Sequence, residues 1–288
     1  MDELVAVSGA SGAVGSRVAR GLAERGARQR LVVRDAARAP QLDGAEVRVA
    51  AGGYADGEAM RAALEGAGVL FLIPAAEAPD RIAQHITAVD AAVAAGVRRI
   101  VYLSFVDATP DSTFTLGLDH WATEEHIRAT GVPFTFPRMN LYMDFIPSMV
   151  GADGVIRGPA GDGRLAAILR DDVAAAAVVL LTSDGHEGRS YDLTGREAFS
   201  LAEAAALMSE HSGKSIVFED ETEAQAYASR AGFGAPDWEV RGWVTSYQAI
   251  GDGSLEAVSP CVRELTGREP VTLAEYLRAQ PESLDHVK

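Results

Sequence analysis

The sequence predicts an α/β protein: a doubly wound parallel sheet with a smaller C-terminal α/β lobe. Three observations carry this expectation. Short apolar runs alternate with amphipathic stretches through the first half of the chain, a pattern that specifies βαβ units with strands covered on both faces. One such run opens directly into glycines at three-residue spacing. Past Leu141 the alternation stops and Gly and Pro cluster, which marks loops rather than a continued sheet.

The elements follow in order. Leu4–Val7 is short, apolar and β-branched, and reads as the first strand. Gly15–Gly26 reads as a helix with Val18, Ala19 and Leu22 on one face. Arg30–Val33, Ala45–Val49 and Val69–Ile73 read as the next three strands, Ile100–Leu103 as the fifth and Phe134–Phe136 as the sixth. Helical patterns occupy Gly57–Leu64, Ile82–Ala95 and Asp119–Thr130. Gly151–Gly163 is a loop with one short strand. Asp171–Leu181 is an Ala- and Val-rich helix expected to pack back onto the sheet. Ser200–Ser212 is a helix, with Ser200 as N-cap and Glu203 completing a capping box. Glu219–Glu223 reads as a solvated acidic run, and Pro236–Ile250 and Thr272–Ala279 as helices.

Composition bounds the function. The chain has 288 residues, 48% apolar and 23% charged, enough to bury a large core, which excludes disordered and coiled-coil classes. No run of eighteen apolar residues occurs, so no membrane span is expected. Met1-Asp2-Glu3 leads into the first strand without a basic region or cleavage site, so no export is expected. The single cysteine, Cys261, excludes a disulfide framework and a multi-thiolate metal site, and points to a reducing cytoplasmic home. The net charge is −15, and the first fifty residues hold eight Arg against six acids. Such an acidic chain is not expected to bind nucleic acid by phosphate neutralisation, whereas its locally basic N-terminus suits a small anionic ligand.

The run Val5-Ala-Val-Ser-Gly9-Ala-Ser-Gly12-Ala-Val-Gly15 gives that ligand a chemistry. Gly9 permits the tight turn off the strand, Gly12 lets backbone approach a pyrophosphate, and Gly15 allows close helix–strand packing. The free N–H groups of the first helical turn, around Ala13 and Val14, hold phosphate with the positive end of the helix dipole, and Ser11 adds a hydroxyl. The fold is thus of Rossmann type. Residues 1–140 with about 166–182 form the expected dinucleotide-binding domain, and about 141–165 with 183–288 the substrate lobe.

The end of the second strand meets the adenosine ribose, where an acid favours NAD and a cation favours NADP. Arg34 leaves that strand and Arg38 lies one turn on, so two guanidinium groups can fork onto a 2′-phosphate. NADPH is therefore the preferred coenzyme, with NADH as the other choice. Asp35 between them would repel the phosphate if it pointed inward.

The catalytic side is less complete. None of the seven tyrosines is followed four residues later by lysine, so the proton-donating pair of many short-chain reductases is missing. Ser104, at the end of the fifth strand, is a candidate to line the site. His120 is a candidate proton donor or substrate contact, with Glu124 four residues on to orient it. Two such ligands are too few for a metal site. Ile73 and Pro74, ending the fourth strand, are expected beside the cofactor. Met139, Asn140 and Tyr142 follow the sixth strand and form either an apolar wall over the nicotinamide or part of the core.

The chain resembles the NmrA-like atypical short-chain dehydrogenase/reductases, and within them the bacterial quinone oxidoreductase and triphenylmethane reductase branch. The matching pieces are SGASGAVG at 8–15, VVRDAAR at 32–38, AAGVRRIVYLS at 94–104, HWATEEHIRATGVPFTFPRMNLYMDF at 120–145, GPAGDGRLAAILRDDVA at 158–174 and YDLTG at 191–195. The resemblance implies NADPH use with Arg34 at the 2′-phosphate, substrate between domain and lobe, and reduction of quinones, dyes or other electron-poor acceptors. One departure stands out: relatives often carry Leu-Arg-Asn after the sixth strand, where this chain has Pro137-Arg138-Met139 and its asparagine one place later, at Asn140. The family also includes dinucleotide-sensing regulators, which keeps a non-catalytic NADP(H) sensor as an alternative. A tailoring reductase for one secondary metabolite is another.

Overall fold

The computed structural model describes residues 3–288; Met1 and Asp2, where the reading of an absent leader begins, lie outside the described residues. The strands are β1 (Val5–Ser8), β2 (Gln29–Val33), β3 (Glu46–Val49), β4 (Val69–Leu72), β5 (Arg99–Tyr102), β6 (Ser104–Phe105), β7 (Phe134–Met139), β8 (Val155–Gly158), β9 (Arg164–Leu165), β10 (Arg189–Leu193), β11 (Phe199–Ser200) and β12 (Val217–Asp220). The helices are α1 (Ala13–Glu24), α2 (Gly57–Leu64), α3 (Arg81–Ala94), α4 (Thr115–Thr130), α5 (Arg170–Thr182), α6 (Leu201–Ser212), α7 (Glu223–Arg230), α8 (Asp237–Gly251), α9 (Cys261–Thr266) and α10 (Leu273–Ala279). The chain divides into two compact units: Met1–Ala108, Asp119–Arg138 and Asp171–Asp192 in one, Thr109–Leu118, Met139–Arg170 and Leu193–Lys288 in the other.

The first unit is built on a sheet of order β10-β7-β5-β4-β1-β2-β3, with β6 paired to β7. The pairs β1–β2, β1–β4, β2–β3, β4–β5 and β5–β7 are all parallel. Every residue of β1, β4 and β5 is buried, because both faces of these strands are covered, as their unbroken apolar runs require. On one face Met60 and Leu64 of α2, Ala88 and Val89 of α3 and Ile127 of α4 pack with Leu70, Leu72 and Tyr102 of the sheet. Helix α5 lies against α1, where a Cβ on Gly21 would meet Val178 Cγ2 at 2.8 Å. It is also tied to β5 by Arg99, which donates to the Leu181 carbonyl at 3.3 Å.

Two boundaries differ from expectation by three residues or more. β7 runs on through Pro137 to Met139. Its pairing with β5 ends at Thr135, and β7 also pairs with β6 and β10. Helix α4 begins one turn earlier than its apolar spacing suggested.

The second unit holds two short sheets, β9 with β11 antiparallel and β8 with β12 parallel. Ser200 and Glu203 form the expected capping box, and Thr222/Gln225 and Thr272/Glu275 form two more. The acidic run Glu219–Glu223 is not simply a solvated face. It spans the end of β12 and the start of α7, and Glu221 is buried against Arg230 at 2.9 Å. No helix among the described residues is long and apolar enough to cross a membrane.

Candidate functional site

Strand order reverses between β1 and β4, and in open α/β sheets ligands bind beyond the strand ends at such a switch point. The residues leaving these two strands meet there: a Cβ on Gly9 would stand 3.5 Å from Ile73 Cβ. Gly9 has φ +60°, a left-handed conformation that favours glycine. The turn closes with Gly12 N–H donating to the Gly9 carbonyl at 2.9 Å, and Gly12 then caps α1 in an extended conformation with no side-chain cap. The N–H groups of Ala13, Val14 and Gly15 find no acceptor among the described residues, so they remain available to an anion. Gly15 is required by space: a Cβ would fall 2.3 Å from the Gly9 carbonyl oxygen. Gly12 would meet that oxygen at 3.2 Å and nothing else within 4 Å, which leaves open ground above the turn.

Arg34 and Arg38 are both exposed, and neither enters an ion pair among the described residues. The Arg34 stem is steered by the 3-10 turn Gly53–Ala55, since a Cβ on Gly53 would touch Arg34 Cδ at 3.4 Å. Asp35 is turned to another task. Its Oδ1 accepts from Ala37 N–H at 2.9 Å and caps the 3-10 turn Ala36–Arg38. Two cations thus stand free beside β2 while the acid between them is engaged locally.

The floor of the switch point is a polar network that the sequence did not reveal. Ser8 Oγ donates to the Phe71 carbonyl at 3.0 Å and accepts from Ile73 N–H at 3.0 Å. The Tyr54 hydroxyl lies 2.6 Å from both Ser8 Oγ and the Ile73 carbonyl, and burial pushes its pKa up. Two residues past Ile73, Ala75 is clasped from α3. His85 Nε2 accepts from its N–H at 2.9 Å, and Arg81 Nε donates to its carbonyl at 3.1 Å. His85 therefore carries its proton on Nδ1, which faces Thr123 Oγ1 at 2.8 Å, while Thr123 donates onward to the Asp119 carbonyl. Burial, with the nearby Arg81 charge, depresses the His85 pKa to about 3.

His120 belongs to this network. Its Nδ1 is 3.0 Å from the Tyr102 hydroxyl and its Nε2 3.5 Å from Arg81. It is buried, and desolvation, followed by the charge of Arg81, holds its pKa well below the ordinary value. The Glu124 carboxylate that helical spacing offered to His120 goes elsewhere. Its Oε1 accepts from Ser104 Oγ at 2.6 Å, and its two oxygens take Arg138 as a fork at 2.8 and 2.6 Å. Arg128 adds a third partner at 2.8 Å. Ser104 and Glu124 are both fully buried, so the one proton of Ser104 is committed to Glu124. No cluster of three metal-ligating side chains occurs among the described residues.

Met139, Asn140 and Tyr142 lie in the second unit. Asn140 is buried, donating to the Leu255 carbonyl at 3.0 Å and accepting from Leu141 N–H at 2.8 Å. Tyr142 donates to Met139 Sδ, and its ring stacks under the Arg170 guanidinium at 3.9 Å. Arg170 is held in turn by Asp144 at 2.7 Å. The structure thus joins Gly9 to Ile73 in one unit and Met139 to Tyr142 in the other, and sets Ser104 and His120 into buried networks. Tyr54, Arg81, His85, Tyr102 and Arg138 are the neighbours missed. The i, i+4 pair Arg81/His85 at the start of a helix was the one available signal.

Comparison with known proteins gives this arrangement its kin. Residues 1–277 match the NmrA-like family. The chain is 36% identical over 277 residues, 92% of its length and 93% of the relative's, to the (4-alkanoyl-5-oxo-2,5-dihydrofuran-3-yl)methyl phosphate reductase of Streptomyces griseus. Among solved structures it is similar to the NADPH-dependent quinone oxidoreductase of Escherichia coli complexed with NADPH. That match has a TM-score of 0.89 and 33% identity, and covers 96% of this chain and 99% of the other. It is also similar to the Citrobacter sp. triphenylmethane reductase complexed with NADP(H), with a TM-score of 0.84 and 30% identity, covering 96% and 99%.

Proposed function

The chain belongs to the NmrA-like family, and from that premise we propose that it is an NADPH-dependent oxidoreductase acting on electron-poor conjugated acceptors of quinone or dye type. The observation that carries this reading is the glycine turn with unclaimed amides on α1, flanked by two unpaired arginines. It suits a dinucleotide with an extra phosphate. The relatives named above, a quinone oxidoreductase holding NADPH and a dye reductase holding NADP(H), fit the same chemistry.

The residues fit the coenzyme. Gly12 and Gly15 leave a cradle that side chains would fill. The amides of Ala13, Val14 and Gly15, with the Ser11 hydroxyl, would hold the diphosphate. Arg34 and Arg38 would hold the 2′-phosphate, a charge-assisted contact contributing about 1.5–3 kcal/mol. Ile73 and Pro74 would wall the crevice. When bound, NADPH supplies hydride from its nicotinamide ring. The first unit is accordingly read as the coenzyme domain and the second as the acceptor lobe, with Met139 and Tyr142 on the acceptor side.

Ser104 and His120 hold structure rather than donate protons in this reading. His120 is neutral near pH 7, with both nitrogens facing partners, and Ser104 is bound to Glu124. A conjugated acceptor spreads the charge it gains, so water suffices to protonate it, and the absent Tyr/Lys pair is not needed. The residues would contribute by orienting the reactants and excluding water around them. The lone thiol, Cys261, suits a reducing cytoplasm.

The test follows absorbance at 340 nm with NADPH and a panel of quinones, dyes and enones. Oxidation above background with at least one class is expected. Tight binding of NADPH and NADP without turnover on any of them would replace this reading with the sensor one.

A further inference from the structure

We infer that the second unit contains a binding site for a flat, uncharged, conjugated molecule, in a cavity of about 390 Å³ lined by Phe145 and Met149 on one side and Trp243 and Tyr247 of α8 on another. The site rests on the reductase reading only in naming that molecule as the acceptor. Its volume lies in the range of small-molecule pockets, about 300–1,000 Å³. Among the described residues the two most exposed large apolar side chains are Phe233, at 73%, and Phe145, at 54%, and both line this one cavity. Exposed apolar surface gathered at a cavity marks a ligand site. Trp243 stands edge-on to Phe233 with ring centres 6.0 Å apart, so aromatic walls are already arranged for stacking.

The polar lining decides the charge of the ligand. Ser148, Ser229 and Ser246 donate to the Phe145, Ala226 and Trp243 carbonyls at 2.6, 3.2 and 2.8 Å. Arg157 is paired with Asp153 at 2.9 Å and Glu219 at 3.3 Å. Arg230 is paired with Glu221 at 2.9 Å and donates to the Arg157 carbonyl at 2.8 Å. Neither cation is left over for an anionic group. The Tyr247 hydroxyl accepts from Arg230, which leaves its own proton for a ligand, and burial raises its pKa, so it stays a phenol. One donor set among aromatic walls matches a planar molecule bearing a carbonyl and no ionised group.

The experiment is calorimetry on the full chain without coenzyme, titrated with 2,3-dimethyl-1,4-naphthoquinone and with its ring-sulfonated counterpart. The two methyl groups block addition by Cys261. The uncharged quinone is expected to bind, with the sulfonate at least tenfold weaker. The double variant F145A/F233A, which alters two exposed side chains, should weaken the quinone at least tenfold, and Tyr247→Phe three- to tenfold. No heat with the wild type overturns the proposal, as does unchanged affinity in both variants or a sulfonate that binds equally well. A dimer that the double variant converts to monomer in sedimentation also overturns it, since the face would then be an interface between copies. NADPH oxidation followed in the same samples separates the two readings. Quinone binding without oxidation, by this quinone or by any acceptor of the panel above, keeps the site and removes the reductase. Oxidation with unchanged KM in both variants keeps the reductase and removes the site.

Discussion

Replacing Gly15 by alanine tests the coenzyme cradle at the point where space is tightest. By helix propensity alone the change should stabilise α1 by about 1 kcal/mol. The added Cβ would sit 2.3 Å from the Gly9 carbonyl oxygen and 2.8 Å from its carbon. Both are backbone atoms, so no rotamer change relieves the clash. Ordinary contact needs roughly 3.4 Å, so turn and helix must part by roughly 1 Å, at the ~1–3 kcal/mol typical of overpacking. The net loss is about 0–2 kcal/mol, or a fall in Tm of at most roughly 4 °C for a chain of this size. Binding suffers more. A shift of that size takes phosphate-facing amides out of hydrogen-bond range, and each charge-assisted bond is worth about 1.5–3 kcal/mol. Loss of two should weaken NADPH at least a hundredfold. Gly12→Ala, with a contact of 3.2 Å, should change Tm less. Calorimetry with NADPH and a thermal melt measure both effects. A Gly15→Ala protein that binds NADPH within threefold of wild type would refute the cradle.

Other outcomes follow from the same geometry. Arg34→Ala should raise KM for NADPH by about ten- to a hundredfold and leave KM for NADH nearly unchanged; equal losses for both would argue that Arg34 does not read the 2′-phosphate. Glu124→Gln removes the buried charge that holds Arg138 and Arg128, and urea unfolding should show a loss of about 3 kcal/mol. His85 has a folded pKa of about 3 against an ordinary 6.5, so the unfolded chain binds the extra proton between those values. Its contribution is fully present above pH 6.5 and is lost as pH falls, by about 1.4 kcal/mol per unit. A His85→Gln protein should therefore show a flatter decline in unfolding free energy between pH 6.5 and 4.5, and an unchanged slope would contradict the buried neutral imidazole.

What the sequence disclosed was local. The turn from β1 through Gly9 into α1 depends on residues a few positions apart, and so does the arginine leaving β2. Their chemistry shows in the order of letters. The buried clusters depend on long-range choice. Helical spacing placed Glu124 beside His120, but three better donors compete for that carboxylate, and two of them, Ser104 and Arg138, come from elements 20 and 14 residues away. Nothing in a run of characters ranks those competitors. The run Glu219–Glu223 looked solvated because its partner Arg230 lies on the far end of the following helix. β7 looked shorter because its apolar run stops at Pro137, and only its place in the sheet, beside β5, β6 and β10, shows that the strand continues to Met139.

The way Ala75 is fastened has a consequence for how this region can change over time. Both polar groups of its backbone are satisfied by side chains of the next helix, one turn apart. The position of Ala75 is thus written in Arg81 and His85 and not in its own side chain. A single replacement at Arg81 would release that edge and disturb the Tyr102–His120 contact below it in the same stroke.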